Sequence, residues 1–227
     1  MRRLNAPTTA EYGENLRRSR RPQSLAELKP ATCDVAVPTQ ARILGLDPGS
    51  LCTGYAVVET VGVKVTYVVS GSIRTQGAFP DRLRDIFAAV AEVANQFLPD
   101  EVAIERIFLS RNADSALKLG QARGAALSAT FQRRPRVYEY AAREVKQAVV
   151  GSGAAQKEQV QLMVKRLLNI DGSVGADAAD ALAIALCHAH SRRLYGQIGG
   201  QVPGRRDGAI AARPAVRNGQ SKMSYPR

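Results

Sequence analysis

The run RILGLD at residues 42–47 is apolar except at its two ends, and it closes on Asp47 with the turn formers Pro48 and Gly49 directly behind it. A continuous apolar run of this length, stopped by such a pair, is a strand buried on both faces. The chain must therefore supply cover for both sides of it. Tyr55 to Glu59 and Val63 to Ile73 are further β-type runs, so the opening predicts a three-stranded antiparallel meander. Residues 80–98 then carry helical periodicity through Leu83, Ile86, Phe87, Val90, Val93 and Phe97, and Pro99 stops the helix. A strand is expected over Glu101 to Phe108, with Val102 and Ile104 sharing its inward face. A helix rich in small residues follows from about Asn112 to Phe131, then a short strand at Arg136 to Glu139. Helical pieces are expected at about 141–149, 156–168 and 176–192. This order predicts an α/β fold: a mixed five-stranded sheet, three antiparallel strands and then parallel ones, with helices on both faces.

The predicted elements occupy residues 41–195, enough for one α/β domain to bury a core. Residues 1–40 hold four prolines, a basic run at Arg17, Arg18, Arg20 and Arg21, and no sustained apolar period, so a disordered basic extension is expected there. Residues 196–227, dominated by glycine, proline and arginine, are expected to be a second disordered basic tail. No apolar stretch follows the early arginines, so a secretory signal is not expected; an Arg-rich transit peptide and a start assigned too early remain the alternatives.

Charge narrows the partner. The chain has 227 residues and a formal net charge of +12, which favours a polyanion through counterion release from phosphates. Residues 1–40 carry seven basic and four acidic side chains, and residues 197–227 carry six and one. The middle thus keeps only a small excess, compatible with a basic face around a local acidic pocket. No run is long and apolar enough to span a bilayer. Cys33, Cys52 and Cys187 have no CxxC spacing and an odd count, which fits a reducing cytoplasm. Cys187 is expected in the core. His188 and His190, two apart on a helix, should point to different sides and are read as surface residues near a helix end.

Four carboxylates stand out. Asp47 ends a hydrophobic strand, although a lone strand-Asp-Pro-Gly more often has the aspartate supporting its turn. Glu105 lies in VAIERIF, where its apolar neighbours make a charge costly unless it is compensated; an edge-strand carboxylate open to water is the plain alternative. Asp177 and Asp180, in GADAADALAIALCHAH, are three apart and share one side of a helix. The helix dipole accounts for one acid in a first turn better than for two. Brought together, four acids on three elements would repel one another, and hard oxygen donors without His or Cys favour Mg²⁺ or Mn²⁺. Two such ions support phosphodiester hydrolysis, which points to a nuclease. Lys146 and Lys157 flank Gly151-Ser152-Gly153 and suit a phosphate-binding surface, although any single lysine is more often a solvated one. Phe108 is a candidate for stacking on an unpaired base or, equally, a satellite core residue. Arg111, in the polar stretch LSRNADS, is counted as a further DNA contact.

Long blocks of residues 42–193 resemble the RuvC family of Holliday junction resolvases in order and spacing: ILGLDPGSLCTGYAVVE, SGSIRT, NADSALKLGQARG, EYAAREVKQAVVGSG and ADAADALAIA. A lone DPG would carry little weight; this string of blocks is highly specific. The resemblance implies an RNase H-like fold, symmetric nicking of four-way junction DNA by a homodimer, and cooperation with the RuvA and RuvB branch-migration proteins. It implies two Mg²⁺ ions per active site, with Mn²⁺ able to substitute, held by Asp47, Glu105, Asp177 and Asp180. It also implies that Lys146 and Lys157 contact DNA and assist catalysis, and that Phe108 engages the junction. The 40-residue leader departs from the family pattern.

Three rivals are weaker. An actin-like or sugar-kinase-like ATPase also opens on an Asp-x-Gly hairpin but needs two lobes, for which this chain is too short. A related RNase H-like nuclease acting on ribosomal RNA precursors shares the Asp-Pro-Gly opening but not the AREVKQ and ADAADALAIA blocks. A non-catalytic junction binder would have no use for all four acids.

Overall fold

The computed structural model describes residues 39–106 and 112–197. The expected basic ends therefore lie outside the described residues, apart from a residue or two at each border, and so do Phe108 and Arg111. Five strands form one sheet in the order β3-β2-β1-β4-β5, with β1 at Gln40–Asp47, β2 at Cys52–Val61, β3 at Lys64–Arg74, β4 at Glu101–Glu105 and β5 at Arg136–Tyr140. The first three pair antiparallel; β1, β4 and β5 run parallel. This is the expected mixed sheet. Strand β1 begins two residues earlier than the apolar run, and the regular part of β4 ends on Glu105.

Helices cover both faces. On one, α1 (Phe79–Phe97) and α2 (Ala113–Thr130) enclose Leu44, Leu46, Val57, Val102 and Ile104. On the other, α3 (Ala142–Val150), α4 (Lys157–Leu168) and α5 (Ala176–Gln197) enclose Ile43, Ala56, Val58 and Ala103. The alternation along β1 and β4 follows the period of two. Because both faces are covered, Ala103 is as buried as Val102 and Ile104.

Local chemistry sets the helix ends. Pro80 occupies the first turn of α1, and Leu98, in the left-handed conformation at φ 49°, closes it ahead of Pro99. The Asn112 side chain accepts from the backbone N–H groups of Asp114 and Ser115 to start α2. Glu144 accepts from Ala141 N–H at 2.6 Å and Gln159 from Gln156 N–H at 2.8 Å, which fixes the starts of α3 and α4.

The surface reading of His188 is overturned. His188 is 0% exposed, with Nδ1 2.7 Å from the Tyr140 hydroxyl and Nε2 2.8 Å from Glu101 Oε2. Helix α5 is apolar on nearly every side, so its position in the sequence concealed which residues face the sheet. Satisfied partners on β4 and β5 remove the penalty of burying the ring. His190 does point elsewhere, toward the Ala148 carbonyl of α3 at 3.2 Å. Cys187 is a core residue as expected, 2% exposed.

Candidate active site

The site lies at the end of the sheet where β1 and β4 finish. Their parallel register aligns Leu46 with Ile104, and its next step brings Asp47 level with Glu105. Both side chains share the face of Ile43 and Ala103, which α5 covers. Glu105 is not on an edge strand, because β5 pairs with β4 through Glu105 and Tyr140. The edge-carboxylate alternative is thereby removed.

Two glycines bring α5 down onto this end. A Cβ on Gly45 would stand 2.3 Å from the Ala181 carbonyl oxygen, and one on Gly54 would stand 2.0 Å from the Asp177 carbonyl oxygen. No real Cβ tolerates such contact with backbone. Gly54 is the cross-strand partner of Asp47, so the bare patch lies beside the first carboxylate and receives the first turn of α5. That turn carries Asp177 and, three residues on, Asp180.

The charges respond to one another. Asp47 has an ordinary value of 3.8 and is pushed up to about 7. Burial is the largest cause; the negative charges of Glu105, Asp180 and Asp177 add to it, and Lys157 opposes them. Glu105 is likewise raised, by burial first and then by Asp180, with Lys146 and Lys157 pulling it back. All four acids and both lysines singled out in the sequence thus act within one electrostatic neighbourhood.

The oxygens have interim partners. Lys157 Nζ lies 2.6 Å from Asp180 Oδ2, and this bond raises the lysine's affinity for its proton. The Cys52 thiol donates to Asp177 Oδ2 at 3.1 Å. Among the described residues, no three His, Cys, Asp or Glu side chains are gathered closely enough to hold an ion as they stand. A divalent ion nevertheless fits this donor set: it is made of hard oxygens, and burial together with the charges of its other members pushes Asp47 up to about 7. Lys157 and Lys146 set two positive charges against the four acids, and Lys157 would have to release Asp180 for that carboxylate to serve a metal.

The titration of Asp47 has a testable consequence in metal-free protein. Its folded value lies above its unfolded one, so from about pH 4 to about pH 7 the folded state binds more protons and stability falls as pH rises. Asp47→Asn has no such group. Its Tm is expected to rise relative to the wild type across that window in EDTA-treated samples; a difference that stays flat with pH would show that Asp47 is ionised throughout.

Two contributors lacked a sequence signal. Cys52 reads as an ordinary strand residue, yet it holds Asp177. Arg123 of α2 bridges Glu139 Oε1 at 2.7 Å and the Glu105 carbonyl at 3.4 Å, which ties the end of β4 in place. Their partners are distant along the chain, so no local spacing marks either one.

Comparison with known proteins identifies the family. The family model described as crossover junction endodeoxyribonuclease RuvC matches residues 43–188. RuvC of Aeromonas hydrophila is 53% identical over 163 residues, covering 71% of this chain and 94% of its own. RuvC of Vibrio cholerae is 52% identical over 167 residues, covering 73% and 96%. Among solved structures, Thermus thermophilus RuvC in complex with a Holliday junction substrate superposes with a TM-score of 0.64 at 37% identity, over 69% of this chain and 97% of that one. The yeast mitochondrial Holliday junction resolvase Ydc2, at 14% identity and a TM-score of 0.53 over 71% of this chain and 86% of its own, shares the RNase H-like fold. Sheet order, helix placement and matched sequence all lead to one assignment: the chain belongs to the RuvC family of crossover junction endodeoxyribonucleases.

Proposed function

We infer that this chain is a structure-selective endonuclease that resolves four-way Holliday junctions by paired symmetric nicks in recombination and DNA repair. The observation that carries this is the meeting of two strand acids, Asp47 and Glu105, with two helix acids, Asp177 and Asp180, under the charges of Lys146 and Lys157. Two Mg²⁺ ions per site, replaceable by Mn²⁺, would be held by those four carboxylates; when bound they activate water and stabilise the leaving oxygen of a phosphodiester. Lys157, displaced from Asp180, is left beside the site as a cation for backbone phosphate, and Lys146 faces it from α3. Phe108 and Arg111 are assigned to junction contact because they follow directly on the strand that carries Glu105. No described helix is long and apolar enough to cross a membrane, and we place the enzyme in the cytoplasm with RuvA and RuvB as partners. Synthetic four-way junctions and linear duplexes, each with Mg²⁺ or EDTA, test the reading. Paired nicks in the junction with Mg²⁺ alone support it; equal cutting of duplex, or cutting in EDTA, overturns it.

A homodimer completes the proposal. A four-way junction is nearly twofold, so an isologous dimer presents identical sites to equivalent strands. Helix α2 divides its small residues between two jobs: Ala122, Ala126 and Ala129 are buried in the core it shares with α1, whereas Gly120 and Gly124 are exposed with no atom near a would-be Cβ. Leu117, 67% exposed, and Phe131, 53% exposed, lie on the same heptad-spaced line. This stripe is the proposed dimer contact. Gly120→Asp is expected to sediment as a monomer and to lose paired incision; a variant that remains dimeric would remove α2 from the interface.

A further inference from the structure

At the far end of the same strand and the same helix sits a second charged cluster, and nothing in the proposed chemistry uses it. Glu101, 1% exposed at the start of β4, is held by Arg136 at 3.0 Å, His188 at 2.8 Å and Arg192. His188 and Arg192 are 0% and 5% exposed on α5. Tyr140 of β5 closes the ring of contacts through His188 Nδ1, and Thr60 of β2 accepts from Arg192 at 3.3 Å. Four of the five strands and helices that carry or flank the acids are thereby joined: β4, β5, β2 and α5.

The layout is that of two opposed contacts on one pair of elements. Glu101 and Glu105 lie on the same face of β4, about 13 Å apart along the strand. His188 is 11 residues beyond Asp177, a whole number of turns within about 20°, so both point to the sheet about 16 Å apart along the helix. Strand and helix run in opposite directions, with attraction at the Glu101 end and carboxylate repulsion at the Glu105 end. Repulsion among the acids pushes α5 away from β1 and β4. The buried cluster resists that push and also fixes how far α5 can slide or turn.

We propose that the Glu101–His188–Arg192 cluster is a positioning device that holds helix α5 in register on the sheet, so that Asp177 and Asp180 face Asp47 and Glu105 and can close on a cation by side-chain movement alone. The inference rests on the four-acid reading of the site. Its residues stand at the opposite end of β4 and α5 from the four acids; they act through the helix. Partners that orient metal ligands commonly change metal affinity by about 10- to 100-fold when lost, and a preorganised site is weakened by small displacements of its ligands.

Mn²⁺ binding to the full chain, followed by electron paramagnetic resonance, tests this independently of cleavage. Glu101→Gln and His188→Ala are expected to raise the Mn²⁺ dissociation constant about tenfold, and to raise the Mg²⁺ concentration for half-maximal cleavage in parallel while the plateau rate recovers at high Mg²⁺. Junction binding in EDTA should be unchanged. Val90→Ala, on the opposite face of the sheet in α1, provides a control that lowers stability without touching α5. If Mn²⁺ affinity stays at the wild-type value in Glu101→Gln, or shifts equally in Val90→Ala, the positioning role is overturned. If His188→Ala does not fold, Glu101→Gln decides alone. Asp180→Asn run alongside keeps the two readings apart: retention of full Mn²⁺ affinity there would refute the acid site itself.

Discussion

Asp47→Asn is expected to lower junction cleavage by at least about 10³-fold while leaving junction binding intact or slightly tighter. Asp47 is the acid on which the other three converge, and burial already makes its charge expensive. A carboxamide keeps the shape and one acceptor oxygen but gives up the charge that a divalent cation needs. Loss of charge stabilisation worth several kcal/mol corresponds to this rate factor at about 1.4 kcal/mol per tenfold. Binding survives because the substitution also removes one negative charge facing DNA phosphate. Gel-shift and cleavage measurements on the same junction separate the two effects. Normal turnover by Asp47→Asn would exclude this residue as a ligand.

Gly54→Ala should be equally damaging to cleavage and also costly to the fold. The added methyl would meet the Asp177 carbonyl at 2.0 Å, and that atom is backbone with no freedom to swing aside. Helix α5 must lift or slide, taking Asp177 and Asp180 with it. Overpacking of this kind costs about 1–3 kcal/mol or more, a fall in Tm of roughly 2–12 °C for a domain of this size. Gly175→Ala makes the same chemical change just ahead of α5, where no atom lies within 4 Å, so Tm should change far less. Equal effects of the two substitutions would show that close approach at Gly54 is not what seats the helix.

The parts of this fold legible in sequence were those with a short-range physical signature. An apolar run stopped by Pro48 and Gly49 marked β1, a 3.6-residue period marked α1, and the i, i+3 spacing of Asp177 and Asp180 gave their common side of α5 without any structure. The convergence of those aspartates with Asp47 and Glu105 was an inference from unlikely chemistry, since four isolated acids at such places had no other shared use. What stayed hidden depended on contacts between remote segments. Gly45 and Gly54 were not singled out in the sequence, although a glycine within a strand is a known sign of close backbone approach. His188 was misjudged because α5 is nearly uniformly apolar, so periodicity could not assign its faces, and the partner that makes its burial tolerable, Glu101, is 87 residues away. Lys157 was read as a candidate phosphate ligand; its bond to Asp180 adds that it also offsets part of the acids' charge.

The most direct test is a crystal of the full chain soaked in Mn²⁺ and measured for anomalous scattering. Two peaks about 4 Å apart are expected at the end of β1 and β4, within coordination distance of Asp47, Glu105, Asp177 and Asp180, with Lys157 withdrawn from Asp180. Saturating Mn²⁺ with no peak within coordination distance of Asp47, or with Asp180 still paired to Lys157, would contradict the proposed metal site.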